Sequence, residues 1–201
     1  MHDLGLAFKI GDLPAAAAED RVELGFERWR EAIAEADDQE LSAFDRDIVA
    51  GGDGYALLAA LFGNSPFLSQ CAVREPTLVH RLFDAGPDRV LADVMDDIKD
   101  LRRTDVDQPA LATGLRQAKR RVALLTAVAD IAGIWPLERV TAALSDFADA
   151  ALGCAAAHLL LQAHVAGTLI LADPDNAEHG SGLVILGMGK LGAHELNYSS
   201  D

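Results

Sequence analysis

Aromatic residues are scarce in this sequence, although apolar residues are abundant. Phe, Trp and Tyr make up 5% of the 201 residues, whereas hydrophobic residues of all kinds make up 50%. The apolar surface is therefore mostly aliphatic and small, with alanine recurring throughout. Strand sandwiches favour β-branched and aromatic residues, while alanine is the best helix former. The composition predicts closely packed helices, and the chain is long enough to bury a core.

Basic residues are also scarce. The chain has 17 Lys and Arg against 32 Asp and Glu, which gives a formal net charge of -15. Such an acidic surface repels phosphate backbones and anionic lipid, so we expect neither a nucleic-acid partner nor a membrane partner. The charge does not exclude a small nucleotide, because backbone amides and a metal ion can hold a phosphate locally.

Cysteine occurs only twice, at Cys71 and Cys154, without the spacing of a metal site. Two buried free thiols in a reducing compartment are the simplest interpretation, although a disulfide stays open. The first residues lack the basic region and apolar run of a secretory signal. These features together predict a cytoplasmic protein. No metal role is expected for histidine, since His158 and His164 point to different sides of one helix.

One long stretch lacks charge of either sign. Residues 150–172 contain no Asp, Glu, Lys or Arg, and this length is enough to cross a bilayer. The stretch also contains His158, Gln162 and His164, and polar side chains at the middle of a membrane span are costly. We therefore interpret it as a helix packed against protein.

Residues 1–178 are predicted to form a helical region interrupted by proline and glycine. Its clearest amphipathic segment, residues 115–131, carries a local group of basic residues: Arg116, Lys119, Arg120 and Arg121. We interpret this group as a solvated face that pairs with the acidic segment 88–100. Contact with an anionic ligand or partner stays open as the alternative.

The character of the chain changes after residue 173. Residues 175–182 are polar and contain glycine, which is typical of a loop between domains. Residues 183–186, Leu-Val-Ile-Leu, form a short continuous apolar run of the kind found in buried strands. We place the domain boundary between residues 178 and 179, so that residues 179–201 begin a second domain of α/β type.

A glycine-rich turn follows this run. Gly187 and Gly189 permit positive φ or close backbone approach, and Lys190 begins a helix whose free N–H groups favour an anion. Asp201 follows about a dozen residues later. The pattern Gly187-x-Gly189-x-x-Gly192 matches the Rossmann fingerprint, but the full crossover helix and second strand that would confirm it are missing. Polymerase-β-like nucleotidyltransferases, which use paired aspartates to hold two divalent ions, also fit this spacing.

The segment GMGKLGAHELNYSSD, residues 187–201, resembles the signature of glutamine synthetase adenylyltransferases. These are large two-headed enzymes that carry two nucleotidyltransferase domains. Met188 and residues 197–201 resemble the N-terminal, adenylyl-removing head, and Ala193 replaces a common glycine. The segments GNSPFL (63–68), LRQAKRR (115–121) and DIAGIW (130–135) resemble the helical region ahead of that first site.

The resemblance implies a function in the control of nitrogen assimilation. The first head would remove AMP from an adenylylated tyrosine of glutamine synthetase by phosphorolysis and release ADP, while the second head would add AMP from ATP. PII signalling proteins and glutamine would set the direction. The implied partners are therefore glutamine synthetase and PII, and the implied substrates are ATP or ADP and phosphate.

The resemblance also implies site residues and a fold. Asp201 would be the first carboxylate of a two-Mg²⁺ site, and Gly189, Lys190 and Ser200 would approach the nucleotide phosphates. The expected fold is mainly α, a helical region followed by the first strand, turn and helix of a truncated nucleotidyltransferase domain. Because the second aspartate is absent, the 201-residue polypeptide is expected to be inactive alone. A truncated Rossmann oxidoreductase and a non-catalytic helical interaction module stay as alternatives.

Overall fold

The computed structural model describes residues 8–102 and 106–198. The described residues form helices and no strand. The helices are, in chain order, α1 Glu19–Ala36, α2 Gln39–Val49, α3 Asp53–Asn64, α4 Pro66–Arg74, α5 Pro76–Ala85, α6 Pro87–Asp100, α7 Gln108–Ile131, α8 Leu137–Val165 and α9 Gly189–Gly192, with a 3₁₀ turn at Pro174–Asn176. The prediction of a mainly α protein is confirmed.

Local sequence signals account for several helix boundaries. The Asp38 carboxylate accepts hydrogen bonds from the N–H groups of Glu40 and Leu41, at 2.8 and 3.2 Å, and so caps α2. Ser65 caps α4 by accepting from the N–H of Leu68 at 3.2 Å. Helices α4, α5 and α6 each begin with proline, whose missing N–H costs nothing at a first helical position.

The chain divides into two compact units. The first comprises the described residues through Leu91 together with Ala123–Val140. Its core is the more aromatic, with the Phe26 ring stacked on Tyr55 at 4.6 Å and edge-on to Phe62 at 5.1 Å. A Cβ on Gly25 would lie 2.5 Å from the Phe62 ring. Glycine at this position therefore lets α1 lie directly against the end of α3.

The second unit comprises Ala92–Val122 and the described residues from Thr141 onward. Arg121 forms an ion pair with Asp97 at 3.3 Å, which confirms at this position that the basic group pairs with the acidic segment. Arg102 pairs with Glu178 at 3.3 Å, and the guanidinium lies over Gly153, where a Cβ would meet it at 2.7 Å. A small buried hydrophobic cluster of Ala157, Leu171 and Ala177 also lies in this unit.

Helix α8 contains most of the uncharged stretch. Among the described residues it is the one helix long and apolar enough to cross a membrane, judged by length and composition only. A helix in the core of a protein passes the same test, and 33% of the apolar window is buried inside the structure. Cys154, Ala157 and His158 are among the buried residues. The larger part of the window is not buried, so the interpretation as a helix packed against protein stays a prediction.

The predicted strand at residues 183–186 is wrong. Residues 183–188 form neither helix nor strand, and the side chains of Leu183, Val184, Ile185 and Leu186 are 52% to 79% exposed. The expected strand, turn and helix of a nucleotidyltransferase domain is therefore not seen. A strand exists only through hydrogen bonds to a neighbour, and the described residues supply no neighbouring strand. The boundary between residues 178 and 179 stays a prediction.

Candidate functional site

The glycine turn, residues 187–192, is shaped by two of its glycines. A Cβ on Gly192 would lie 2.4 Å from the carbonyl oxygen of Gly187, so the turn closes only because Gly192 has no side chain. Gly189 has a φ of +58°, in the left-handed region that glycine adopts without strain. Space around the Gly189 Cα is open, since a Cβ there would meet nothing within 4 Å.

Helix α9 begins one residue before Lys190, the residue at which the sequence analysis predicts its start. It spans only Gly189–Gly192, a single turn with too few aligned peptide groups for a strong dipole. It ends in a Schellman motif. The N–H of Glu195 donates to the carbonyl of Lys190 at 2.8 Å, and the N–H of His194 donates to that of Leu191 at 3.0 Å.

His194 occupies the left-handed position of this motif, with a φ of +60°. A residue with a Cβ carries a cost of about 1 kcal/mol in that conformation, and glycine is the usual choice. The His194 Nε2 lies 3.2 Å from the Asp146 carboxylate. This contact with α8 favours histidine at a position where the backbone favours glycine.

A second contact joins the same segment to α8. The N–H of Leu196 donates to Ser145 Oγ at 3.1 Å, and Ser145 is fully buried. The Ser145 hydroxyl in turn donates to the carbonyl of Thr141 at 2.8 Å. Consecutive residues of α8, Ser145 and Asp146, thus hold the chain between the glycine turn and residue 198.

Two of the four predicted site residues lie in the described part of the chain. Gly189 and Lys190 are neighbours at the start of α9, and both are exposed. The first N–H groups of a helix have no acceptor within it, so an anion here would meet backbone donors and the Lys190 ammonium. Ser200 and Asp201 lie outside the described residues. The roles of all four residues stay predictions.

The described residues do not make a metal site. Across 8–102 and 106–198, no three His, Cys, Asp or Glu side chains are grouped closely enough to hold an ion. The predicted Mg²⁺ ligand, Asp201, is outside these ranges.

The two cysteines are not exposed at the surface. Cys71 and Cys154 are both buried and free, which confirms the prediction of two buried free thiols; the reducing compartment stays a prediction. The Cys154 thiol donates to the Ile98 carbonyl, with an S···O distance of 3.5 Å. Burial raises the pKa of the Cys154 thiol; Arg102 acts against this shift and Glu178 adds to it. A raised thiol pKa lowers the thiolate fraction, and thiolate is the reactive form.

Sequence reasoning missed Ser145, Asp146 and His194. Ser145 and Leu196 are separated by 51 positions, and no local pattern joins residues so far apart. The only available signal was a Ser-Asp pair inside an alanine-rich helix.

Comparison with known proteins decides the family. The family model described as glutamate-ammonia ligase adenylyltransferase matches residues 55–201. This match covers well over half of the chain and includes the whole glycine turn. The chain belongs to the glutamate-ammonia ligase adenylyltransferase family. The resemblance noted in the sequence is thereby confirmed at the level of the family.

Curated relatives in this family are alike over most or all of the chain. The bifunctional glutamine synthetase adenylyltransferase/adenylyl-removing enzyme of Bradyrhizobium diazoefficiens is 35% identical over 200 residues, which cover 100% of this chain and 20% of the relative. The enzyme of the same description from Brucella suis is 37% identical, over 89% of this chain and 20% of the relative. That from Mesorhizobium japonicum is 39% identical, over 85% and 17%.

The chain therefore spans about a fifth of the length of these adenylyltransferase relatives. No solved structure matches the chain. The family assignment removes support from the Rossmann alternative, and the structure agrees, since a four-residue α9 is no crossover helix.

Proposed function

We propose that this chain is part of an enzyme that removes AMP from adenylylated glutamine synthetase by phosphorolysis and releases ADP, and whose second head adds AMP from ATP. The main support for this proposal is the family match, which extends through the glycine turn to residue 201. The relatives are described as bifunctional adenylyltransferase/adenylyl-removing enzymes. Met188 and residues 197–201, which resemble the adenylyl-removing version of the signature, favour the removing head.

The glycine turn is the proposed phosphate-binding element. Gly189 is open to solvent with nothing within 4 Å of its Cβ position, so a phosphate can approach its backbone closely. Lys190 adds an exposed positive charge in a chain of net charge -15. Ser200 is proposed beside the phosphates and Asp201 as a ligand of Mg²⁺. The tethers from Ser145 and Asp146 hold the backbone that leads to these two residues.

The proposed partners follow from the same family. Glutamine synthetase is named in the descriptions of the relatives, and we propose it as the protein substrate. PII signalling protein is proposed as the regulator and the cytoplasm as the location. Nucleic acid and membrane are not proposed as partners, because the acidic charge opposes both.

The first experiment is to sequence the coding region past codon 201. The proposal expects the frame to continue directly into Ile-Asp, which completes an Asp-x-Asp pair, and then into a long open frame. A stop codon immediately after codon 201 contradicts the catalytic proposal for this polypeptide. The remaining function would then be that of a non-catalytic helical interaction module.

The second experiment separates the two heads. In the longer polypeptide that contains this chain, Lys190→Met is expected to lower phosphate-dependent ADP release from adenylylated glutamine synthetase roughly a hundredfold, as for loss of one preorganised donor to a developing charge. Transfer of AMP from ATP should stay unchanged. Lys119→Met, an exposed lysine of α7, is the matched control and should change neither rate. An equal loss of both activities in Lys190→Met contradicts the assignment to the removing head.

The 201-residue polypeptide itself provides a third test. It should give no Mg²⁺-dependent release of AMP or ADP from adenylylated glutamine synthetase, because two metal ions need a pair of carboxylates. Detectable release by this polypeptide alone would refute the proposal that catalysis needs a second carboxylate in addition to Asp201.

A further inference from the structure

A cationic groove lies in the first unit, on a protein that is otherwise strongly acidic. It has a volume of about 440 Å³ and is formed by α1, the end of α3, and α4. Among the described residues that line it, three are arginines, Arg21, Arg28 and Arg74, and none is acidic. The whole chain has only 17 basic residues against 32 acidic ones. Three arginines around one groove are therefore a marked local reversal of charge.

The packing of α1 against α3 creates the apolar floor of this groove. Gly25 lies against the Phe62 ring without a Cβ, and Phe62 is 1% exposed. Leu24, Gly25 and Val73 extend the same apolar lining, and Ser69 and Gln70 add polar groups at its edge. A mainly apolar cleft with a few polar and charged groups, several hundred Å³ in volume, is the usual form of a small-molecule site.

The arginines are not explained by ion pairs within the protein. In the described ranges, no side-chain hydrogen bond or salt bridge joins the guanidinium of Arg21, Arg28 or Arg74 to another residue. All three side chains are exposed. Their guanidinium groups are thus available to an external acceptor, and guanidinium is the side-chain group best suited to bind carboxylate or phosphate with two hydrogen bonds.

Helix stability does not explain all three positions either. Arg74 ends α4, where the helix dipole favours a cation. Arg21 lies in the first turn of α1, where the same dipole disfavours one. Arg21 and Arg28 are seven residues apart and therefore lie on one face of α1. The acidic residues Glu23 and Glu27 line a different surface of that helix and are not part of the groove lining.

We propose that this groove binds a small organic anion, in which a carboxylate or phosphate group meets the arginines and an apolar portion lies on Leu24 and Val73. The volume and the apolar floor favour a small molecule over an acidic polypeptide. The site is separate in sequence from the glycine turn, and the proposal does not depend on the proposed function.

The test is a titration of the 201-residue chain at low ionic strength, followed through the methyl resonances of Leu24 and Val73. The probes are phenyl phosphate and phthalate, which carry a phosphate or two carboxylates on an apolar ring. Two control compounds are used: inorganic phosphate, which lacks the apolar ring, and benzyl alcohol, which lacks the anionic group. Saturable binding of either charged aromatic probe, tighter than that of inorganic phosphate and of benzyl alcohol, is the expected result. Preference for phenyl phosphate identifies a phosphate ester as the natural chemistry, and preference for phthalate identifies a dicarboxylate.

Variants then connect binding with the arginines. Arg28→Gln and Arg74→Gln should each weaken binding roughly tenfold, the usual effect of losing one charge-assisted hydrogen bond. Arg46→Gln removes the same charge from α2, outside the groove lining, and should leave the affinity within about twofold, since an exposed charge that does not contact the ligand is screened by solvent and salt. The three substituted residues, Arg28, Arg46 and Arg74, are exposed, so the variants should fold. A thermal unfolding scan checks this.

Three outcomes overturn the proposal. The first is the absence of saturable binding by both charged aromatic probes. The second is binding that Arg28→Gln and Arg74→Gln do not weaken more than Arg46→Gln does. The third is binding of an acidic peptide such as octaglutamate when neither small anion binds, because that result assigns the groove to a polypeptide partner.

Discussion

The N–H of Leu196 donates to the Ser145 hydroxyl at 3.1 Å, across 51 positions of sequence. Ser145 is buried in α8, while Leu196 belongs to the segment that leads toward Asp201. This hydrogen bond and the contact between His194 and Asp146 place the end of the described chain against α8. Both contacts hold the chain that follows the glycine turn.

Replacement of Ser145 by alanine should loosen this segment without unfolding the protein. The Leu196 N–H loses its acceptor, and the net value of one such hydrogen bond is about 1 kcal/mol. Amide hydrogen exchange at Leu196 should accelerate by roughly fivefold, which corresponds to that energy. Ser69→Ala is a matched control, because the Ser69 hydroxyl bonds only to backbone carbonyls near α4. Equal exchange rates at Leu196 in the wild type and Ser145→Ala would contradict the tether.

His194 should respond differently to glycine and to alanine. Both substitutions remove the contact with Asp146, but glycine also relieves the left-handed backbone, worth about 1 kcal/mol. We therefore expect His194→Gly to protect the Glu195 amide better than His194→Ala, as measured by hydrogen exchange. Asp146→Asn is the control for the side-chain contact, since it keeps an oxygen acceptor and removes the charge. Less protection of Glu195 in the glycine variant than in the alanine variant would show that backbone strain is not the deciding factor.

The glycines of the turn should differ in their tolerance of a methyl group. Gly192→Ala places a Cβ 2.4 Å from the Gly187 oxygen and must open the turn. Gly189→Ala meets nothing within 4 Å and costs only the positive φ, about 1 kcal/mol. Backbone chemical shifts across residues 187–193 should therefore change far more in Gly192→Ala. Gly180→Ala, with φ +69° and open space, is the control outside the turn. Similar shifts in the two turn variants would contradict the close contact.

The buried thiol of Cys154 should make stability depend on alkaline pH. Its pKa in the folded state is raised above the ordinary value of 9.0, chiefly by burial. The stability it contributes is therefore fully present below the unfolded pKa and is lost as pH rises through the folded pKa. We expect the free energy of unfolding of the wild type to fall more steeply above pH 9 than that of Cys154→Ala.

Denaturant titrations between pH 7 and pH 10 measure this difference. The comparison uses the slopes and not the absolute values, because Cys154→Ala also leaves a cavity. Cys71→Ala provides a second buried-thiol variant for comparison. Identical slopes for the wild type and Cys154→Ala would contradict the prediction.

Residues 183–186 should exchange their amide hydrogens quickly in this polypeptide. Their apolar side chains are more than half exposed, and these residues form no helix or strand. Amides in the middle of α8 should be protected by comparison, because the helix encloses them in hydrogen bonds. Strong protection at Ile185 and Leu186 would reveal strand pairing with another part of the chain or with a second copy.

The turn and the strand show what local sequence can and cannot predict. Gly189 was predicted as a position for unusual backbone, and it has a positive φ, because the requirement is set by that residue and its neighbours. The apolar run at 183–186 has the composition of a strand, but a strand also requires a partner. The described residues contain no partner strand, so residues 183–186 do not form a strand despite their composition.

The sequence by itself determined the helical class, the place of the glycine turn and the family. Each depends on composition or on residues close together in the chain, and such signals survive without a fold. Only the tertiary structure decided that Ser145 holds Leu196, and that Arg21, Arg28 and Arg74 share one groove. These groups come from separate helices or distant segments. Their proximity depends on how helices pack, through contacts such as that of Gly25 with Phe62, and helix packing has no short-range signature in the sequence.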